Sequence, residues 1–178
     1  MAPVGSFESL TAAIMAGASS VYFGVEQLNM RARSSINFTV EDLKSIAQQC
    51  HENGVKAYLT LNTILYDHDM RLMKSILNAA KESNIDAVIA MDQAAIMYAR
   101  DIGVPVHIST QINITNFESV RFYAHFADTM VLSRELTLQQ VKKICDDVKK
   151  HEVRGPNGEL VKIEVFVHGV NVTSACTL

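Results

Sequence analysis

Glu164 and His168, a carboxylate and an imidazole four positions apart, are the residues of this sequence best suited to proton transfer. They belong to the run 162–168, in which apolar residues alternate with other side chains as in a β-strand. Side chains two or four residues apart on a strand point to the same face. We therefore predict Glu164 and His168 as a catalytic acid–base pair. The alternative is a structural histidine that is hydrogen-bonded beside a glycine turn.

Arg31, Arg33 and Arg134 could bind an anion together. Arg31 and Arg33 share one loop, and Arg134 follows another apolar run. The planar guanidinium group binds carboxylate or phosphate through two parallel hydrogen bonds. The three arginines thus predict an anionic-ligand site. The alternative is that each arginine pairs with a nearby acid, such as Glu135 or Asp92, on a solvated rim.

Asn62, Gln111 and Glu135 are predicted substrate contacts, because each follows an apolar run directly or within a short polar cluster. Gln111 is the clearest of these, since it has no helix start to cap. Asp92 and Asn116, by contrast, each precede a helical pattern and are predicted to be N-caps.

The predicted sites depend on short apolar runs that are typical of buried strands. Helical patterns separate these runs, and such alternation predicts a parallel sheet with right-handed crossovers. In that architecture, functional groups gather at the carboxyl ends of the strands. An Asn-Gly pair within residues 154–159 predicts a tight turn before the last strand. The predicted strands are residues 21–23, 55–61, 87–90, 106–108, 130–132 and 161–167.

Hydroxyl residues mark several helix starts. Ser6 is a predicted N-cap, and the pairs Thr39 with Asp42 and Thr137 with Gln140 resemble capping boxes. In a capping box, the hydroxyl and the later side chain bind amide groups of the first helical turn.

The predicted fold class is α/β, specifically an incomplete TIM-like (β/α) barrel with parallel strands. Such barrels typically need about 250 residues, whereas this chain has 178. Residues 1–5 could be the tail of a first strand, and the closing strand is missing from the pattern. We expect one domain over residues 1–178, and open barrel edges that favour a homo-oligomer.

Composition limits the classes of function. The net charge of −3 argues against binding nucleic acid or membranes through overall charge, which leaves room for a local basic patch. The chain shows no secretory leader pattern and no run near the roughly 20 apolar residues that span a bilayer. We therefore predict a cytoplasmic protein without membrane contact. The three cysteines do not form a disulfide pattern, and Cys50 and Cys145 lie at core-facing helical positions.

Several segments resemble the peptidase U32 family, also called collagenase-like proteases. The order and spacing of these segments match across nearly the whole chain, and the resemblance implies the family's amino-terminal (β/α) barrel. The matching segments are APVGSFE at 2–8, ASSVYFG at 18–24, NMRAR at 29–33, YLTLN at 58–62, ISTQ at 108–111, LSREL at 132–136 and EVFVHG at 164–169.

The cysteine signature of the family is incomplete in this chain. Some relatives use cysteines after the His-Gly pair to hold an iron–sulfur cluster, which needs several thiolates together. Here Val172 stands where the first cysteine is expected, and residues 173–176 are a shortened echo of the second element. The resemblance therefore implies no demonstrable cofactor in this chain alone.

The resemblance implies two activities. One is peptide hydrolysis, although the sequence has neither an HExxH pair nor a nucleophile-elbow pattern. The other is hydroxylation of pyrimidines in transfer or ribosomal RNA, with prephenate, a small dicarboxylate, as a requirement. The arginines favour the second, because they suit a dicarboxylate or a phosphate backbone. A barrel that binds or assembles without catalysis is the third hypothesis.

Overall fold

The computed structural model describes residues 1–25, 28–29, 38–168 and 172–175, with side chains described through residue 166. The chain divides into two compact units, Met1–Pro105 and Val106–Leu178. Whether these act as the single domain expected from the sequence stays a prediction.

The first unit alternates strands and helices. Its strands pair in parallel, β1 with β2, β2 with β3 and β3 with β4. The strands are β1 (Ala2–Pro3), β2 (Ser20–Gly24), β3 (Lys56–Leu61) and β4 (Ala87–Ala90). The helices are α1 (Phe7–Met15), α2 (Leu43–Glu52), α3 (Met70–Glu82) and α4 (Gln93–Asp101).

The second unit continues the same alternation. Its strands β5 (Val106–Ile108), β6 (Thr129–Val131) and β7 (Lys162–His168) pair in parallel. A last strand, β8 (Val172–Ala175), pairs with β7 in the antiparallel direction. The helices are α5 (Phe117–Tyr123) and α6 (Leu138–Lys150).

The two faces of the sheet differ in burial in the first unit. Phe23, Leu59 and Val88 are register partners in the first unit, and all three are fully buried. Tyr22 and Tyr58, one position earlier, are only half-buried on the opposite face. One face is therefore fully buried at these strands, whereas the other carries half-buried aromatic side chains.

All six strands predicted from the apolar runs are confirmed, with shifts of at most one residue at their ends. The short strand β1 confirms the strand tail expected at residues 1–5. The antiparallel β8 departs from the all-parallel expectation. The physical reason is the length of the connection between β7 and β8. Residues 169–171 join the two strands, whereas a parallel crossover needs a dozen or more residues.

The predicted helix starts are confirmed at Ser6 and Thr137, which both form capping boxes. The prediction at Thr39 is wrong, because α2 begins four residues later, at Leu43. The Oδ2 atom of Asp42 accepts hydrogen bonds from both the Thr39 amide, at 2.8 Å, and the Thr39 hydroxyl, at 3.0 Å. The hydroxyl thus donates to the carboxylate, and the segment forms a turn before the helix.

The predicted turn at residues 154–159 is also confirmed. Arg154 and Leu160 form an antiparallel bridge that closes it. Asp128 anchors this hairpin by accepting hydrogen bonds from the Asn157 amide, at 3.0 Å, and from its side-chain Nδ2, at 2.8 Å. Gly155 lies so close to Asp128 that a Cβ atom there would collide with the Asp128 side chain and Cα.

Candidate functional site

The loops after β5 and β6 are tied together at the carboxyl ends of these strands. The Thr110 hydroxyl donates a hydrogen bond to the Leu132 carbonyl oxygen, at 3.2 Å. The Ser133 amide donates to the Ile114 carbonyl oxygen, at 2.9 Å. These bonds hold the predicted contact Gln111 and the segment that carries Arg134 in one connected structure.

Arg134 is exposed and packs against an aromatic ring. Its guanidinium carbon lies 5.9 Å from the ring centre of Phe166, which is within cation–π range. Within the described residues Arg134 has no ion pair, and the Glu135 carboxylate instead accepts a hydrogen bond from the Ser133 hydroxyl. The structure therefore does not show the pairing of Arg134 with Glu135 that the sequence left open. No acid of the described residues pairs with the guanidinium edge of Arg134, which suits this edge to an anionic ligand.

Glu164 is a buried carboxyl group on β7, only 8% exposed. Its Oε2 atom is buried and has no hydrogen-bond partner among the described residues. Burial raises the pKa of Glu164, because the charged carboxylate loses solvation by water. A protonated carboxyl at this place can donate a proton or a hydrogen bond to a bound group, which is consistent with the acid–base role predicted from the sequence.

The predicted partner of Glu164 is His168, whose side chain lies outside the described residues. The pairing of β7 with β8 shifts register between Phe166 and His168. Such irregularities interrupt the strict alternation of side chains along a strand. The shared face of Glu164 and His168 therefore stays a prediction.

Gln111 lies in a short 3₁₀ turn, Thr110–Ile112, directly after β5. The Ser109 hydroxyl caps this turn by accepting a hydrogen bond from the Gln111 amide nitrogen, at 3.3 Å. The side chain of Gln111 is half-buried and forms no hydrogen bond with the described residues. It can therefore bind a ligand without breaking a side-chain hydrogen bond to a described residue.

In the first unit, Asn62 follows β3 and is half-buried. Asp92 is confirmed as the N-cap of α4, since its Oδ1 atom accepts from the Ala94 amide at 2.9 Å. Its Oδ2 atom also accepts from the Leu65 amide, at 3.1 Å, so the carboxylate has a structural role. Arg31 and Arg33 lie outside the described residues, and their predicted contact with the anion stays a prediction.

The described cysteines do not fit an iron–sulfur cluster. Cys50 and Cys145 are buried cysteines of α2 and α6. Burial raises the pKa of Cys50 to about 11, which disfavours the thiolate form that binds metals. Cys176 lies outside the described residues. In the part of the chain that the structure describes, no group of three or more histidine, cysteine or acidic side chains could hold a metal ion.

Sequence reasoning missed the contacts that shape this site. Phe166 supports Arg134, and Ser133 holds Glu135. The alternation in β7 did place Phe166 on the face of Glu164, so its presence near the site could have been predicted.

None of the helices in the described ranges is long and apolar enough to cross a membrane.

Strands alternating with helices, and polar loops at the strand carboxyl ends, define an α/β protein of the TIM-like class. A solved structure of a U32 peptidase shares this fold, with a TM-score of 0.70, 13% sequence identity, and coverage of 93% of this chain and 67% of that chain. A model of Peptidase family U32 matches residues 5–176. The chain belongs to peptidase family U32, as its motifs indicated.

Two relatives of the chain are named for different activities. A protein named "Collagenase" from Porphyromonas gingivalis strain W83 is 58% identical, over 95% of this chain and 41% of that protein. "tRNA hydroxylation protein P" from Escherichia coli K12 is 30% identical, over 95% of this chain and 36% of that protein. The chain thus spans about two fifths of the length of these relatives.

Proposed function

We propose that this chain forms the anion-recognition part of a cytoplasmic U32 protein that acts in the hydroxylation of pyrimidines in transfer or ribosomal RNA. The observation that carries the proposal is Arg134, which lies over Phe166 without an ion pair among the described residues. An exposed guanidinium beside an aromatic ring suits a phosphate, a carboxylate or a planar base. The relatives named for transfer RNA hydroxylation are consistent with this assignment.

The residues of the second unit divide the work at the site. Arg134 binds the charged group of the ligand, and the Gln111 amide offers both a donor and an acceptor for orientation. Burial raises the pKa of Glu164, which favours the protonated form of its carboxyl group more than in water and suits it to proton transfer. His168 would exchange that proton if its side chain lies on the same face.

The test is mass spectrometry of RNA nucleosides from cells that lack the gene and are complemented with variants. Arg134→Ala removes the guanidinium and is expected to abolish the hydroxylated pyrimidine. Arg134→Lys keeps the charge but loses the planar fork, so it should restore only part of the modification. Arg100→Ala is the matched control, because it removes an exposed arginine from the other unit. Normal modification with Arg134→Ala would overturn the proposal.

Peptide hydrolysis is the second candidate, and the 58% identity with a protein named collagenase favours it. The buried carboxyl of Glu164, whose pKa is raised by burial, is also suited to protonate the departing amine of a peptide. Release of fragments from gelatin by the purified protein, lost in Glu164→Gln, would support this activity. If neither activity is found while a small dicarboxylate binds at Arg134, the non-catalytic binding barrel is the better assignment.

A further inference from the structure

The second unit has a groove at the opposite end of its sheet from Arg134. The segment after α5 leads into β6, and the segment after α6 leads into β7, so both walls lie at the amino ends of these strands. The groove has a volume of about 430 Å³. Its lining includes Glu118, Arg121, Phe122, His125, His151 and Arg154.

The groove walls combine positive charge with flat rings. One wall is a stripe on α5 and the turn after it, in which Glu118, Arg121, Phe122 and His125 have the helical spacing of one face. Arg121 and Arg154 are the two arginines of the groove lining. The chain as a whole has a net charge of −3, so any positive charge in the groove is a local feature. Phe122 is 57% exposed, and its ring also contacts two neighbouring aromatic rings of its own segment, with ring centres 5.0 and 5.5 Å away.

The two guanidinium groups are held in place by weak contacts. Arg121 Nη1 lies 2.9 Å from Glu118 Oε2, and Arg154 Nη2 lies 3.7 Å from Glu152 Oε1. Arg154 Nη1 also donates to the Gly158 carbonyl oxygen, at 2.8 Å. Exposed ion pairs of this kind contribute little free energy, so a phosphate can replace the carboxylates at small cost. Each guanidinium keeps further N–H donors for that purpose.

We propose that this groove binds a single-stranded segment of RNA, with backbone phosphates at Arg121 and Arg154 and a base stacked on Phe122. Arginine and aromatic side chains side by side are the usual means of holding unpaired nucleotides. The volume exceeds that of a phosphate group and accommodates a nucleotide. The inference rests on the proposed function, which supplies RNA as the substrate. It adds a second RNA contact, at the opposite end of the second unit's sheet from Arg134.

The test measures binding of a fluorescein-labelled oligouridine of about 12 nucleotides, a length within the site sizes of single-strand binders. Fluorescence anisotropy is recorded between about 50 and 200 mM KCl, because phosphate contacts weaken with salt. The double variant Arg121→Gln/Arg154→Gln should lower affinity at least about tenfold and reduce the salt slope by about 1.4, for two lost contacts.

The matched control is Lys142→Gln/Lys143→Gln on α6. It removes two exposed positive charges that are also paired with acids, at 2.6 Å each, outside the groove lining. Its affinity should stay within about twofold of the parent, since no phosphate contact is lost. Phe122→Leu should lower affinity about fivefold or more, because stacking is lost while charge is kept.

Four results would overturn the inference. The first is that the parent chain does not bind the oligouridine at low salt, and the second is that both double variants lose the same affinity for it. The third and fourth are that uridine monophosphate, or polyglutamate, competes for the groove as well as unlabelled oligouridine does. The third result would indicate a free nucleotide and the fourth an acidic peptide. Arg134→Ala separates the two proposals. If Arg134→Ala binds the oligouridine normally but does not support RNA modification, both the RNA groove and the proposed function are supported. If the parent chain binds the oligouridine in the groove but RNA modification does not depend on it, only the RNA groove is supported.

Discussion

The two ends of the second unit treat charged groups in opposite ways. At the strand carboxyl ends, Arg134 has no ion pair in the described part of the chain, and Glu164 keeps a buried oxygen without a hydrogen bond. At the other end, Arg121 and Arg154 pair with acids, and Asp128 binds the hairpin through both carboxylate oxygens. One end leaves polar groups unsatisfied, and the other satisfies them locally.

This difference has a physical consequence for what each end can recognise. An unsatisfied buried carboxyl costs stability in the free protein and is retained where a ligand completes it. Paired surface charges cost little and exchange readily with other ions. We therefore expect a selective site at Arg134 and a salt-sensitive, less selective surface at Arg121.

The largest expected effect on stability is at the hairpin that borders the groove. In Gly155→Ala the new Cβ would collide with the Asp128 side chain and Cα, so the backbone must shift. We expect the free energy of unfolding to fall by about 1–3 kcal/mol, as in other overpacked sites. Urea denaturation measures this change. RNA binding in the groove should weaken, while a ligand at Arg134 should bind as before.

Gly158→Ala is the control for that variant. No atom lies within 4 Å of a Cβ at Gly158, but its φ of +77° strains any other residue. The expected loss is about 1 kcal/mol, from backbone strain alone. If both variants lose the same free energy, the collision with Asp128 does not determine the hairpin's stability.

The second prediction concerns the pH dependence of Glu164. Burial raises the pKa of Glu164 in the folded chain above its value in the unfolded chain. The contribution of Glu164 to the free energy of unfolding is therefore fully present below the pKa that Glu164 has in the unfolded chain. It is lost as the pH rises through the pKa of Glu164 in the folded chain. Glu164→Gln removes this titration, so its free energy of unfolding should fall less between about pH 4.3 and neutral pH. Parallel pH profiles for parent and variant would contradict the assigned burial.

The fold was largely predictable from the sequence, whereas the contacts at both ends were not. Apolar runs and caps depend on neighbours in sequence, which is why β3, β7 and the caps Asp92 and Asn116 were found correctly. The prediction at Thr39 was wrong because the hydrogen bond between the Thr39 amide and Asp42, which is typical of a capping box, here stabilises a turn that precedes the helix.

The contacts missed at the two ends are tertiary. Phe166 lies 32 positions after Arg134 in sequence, and no local pattern pairs them. The α5 stripe of Arg121, Phe122 and His125 is visible in the sequence. That it faces the segment after α6 depends on how the helices pack, which hydrophobic spacing alone does not specify.

The third prediction concerns Glu152, which has a φ of +46° just beyond α6. Glycine is favoured at this position because it has no Cβ, and a carboxylate here also opposes the helix dipole. Glu152→Gly should raise the free energy of unfolding by about 1 kcal/mol. Asn84→Gly, with a φ of +57° beyond α3, is the control and should gain less, since asparagine tolerates this conformation. Equal gains would show that side-chain type does not matter at these ends.

The smallest expected effect on stability is at the ion pair of Glu118 with Arg121. Both side chains are more than half exposed, at 73% and 57%, so Glu118→Gln should change the free energy of unfolding by less than about 0.5 kcal/mol. The same change removes an acid from the groove and frees Arg121 Nη1, so affinity for the oligouridine should increase. Urea denaturation and anisotropy on the same sample separate the two effects. A stability loss as large as that of Gly155→Ala, or weaker RNA binding, would mean that this pair is structural and that the two ends differ less than their contacts indicate.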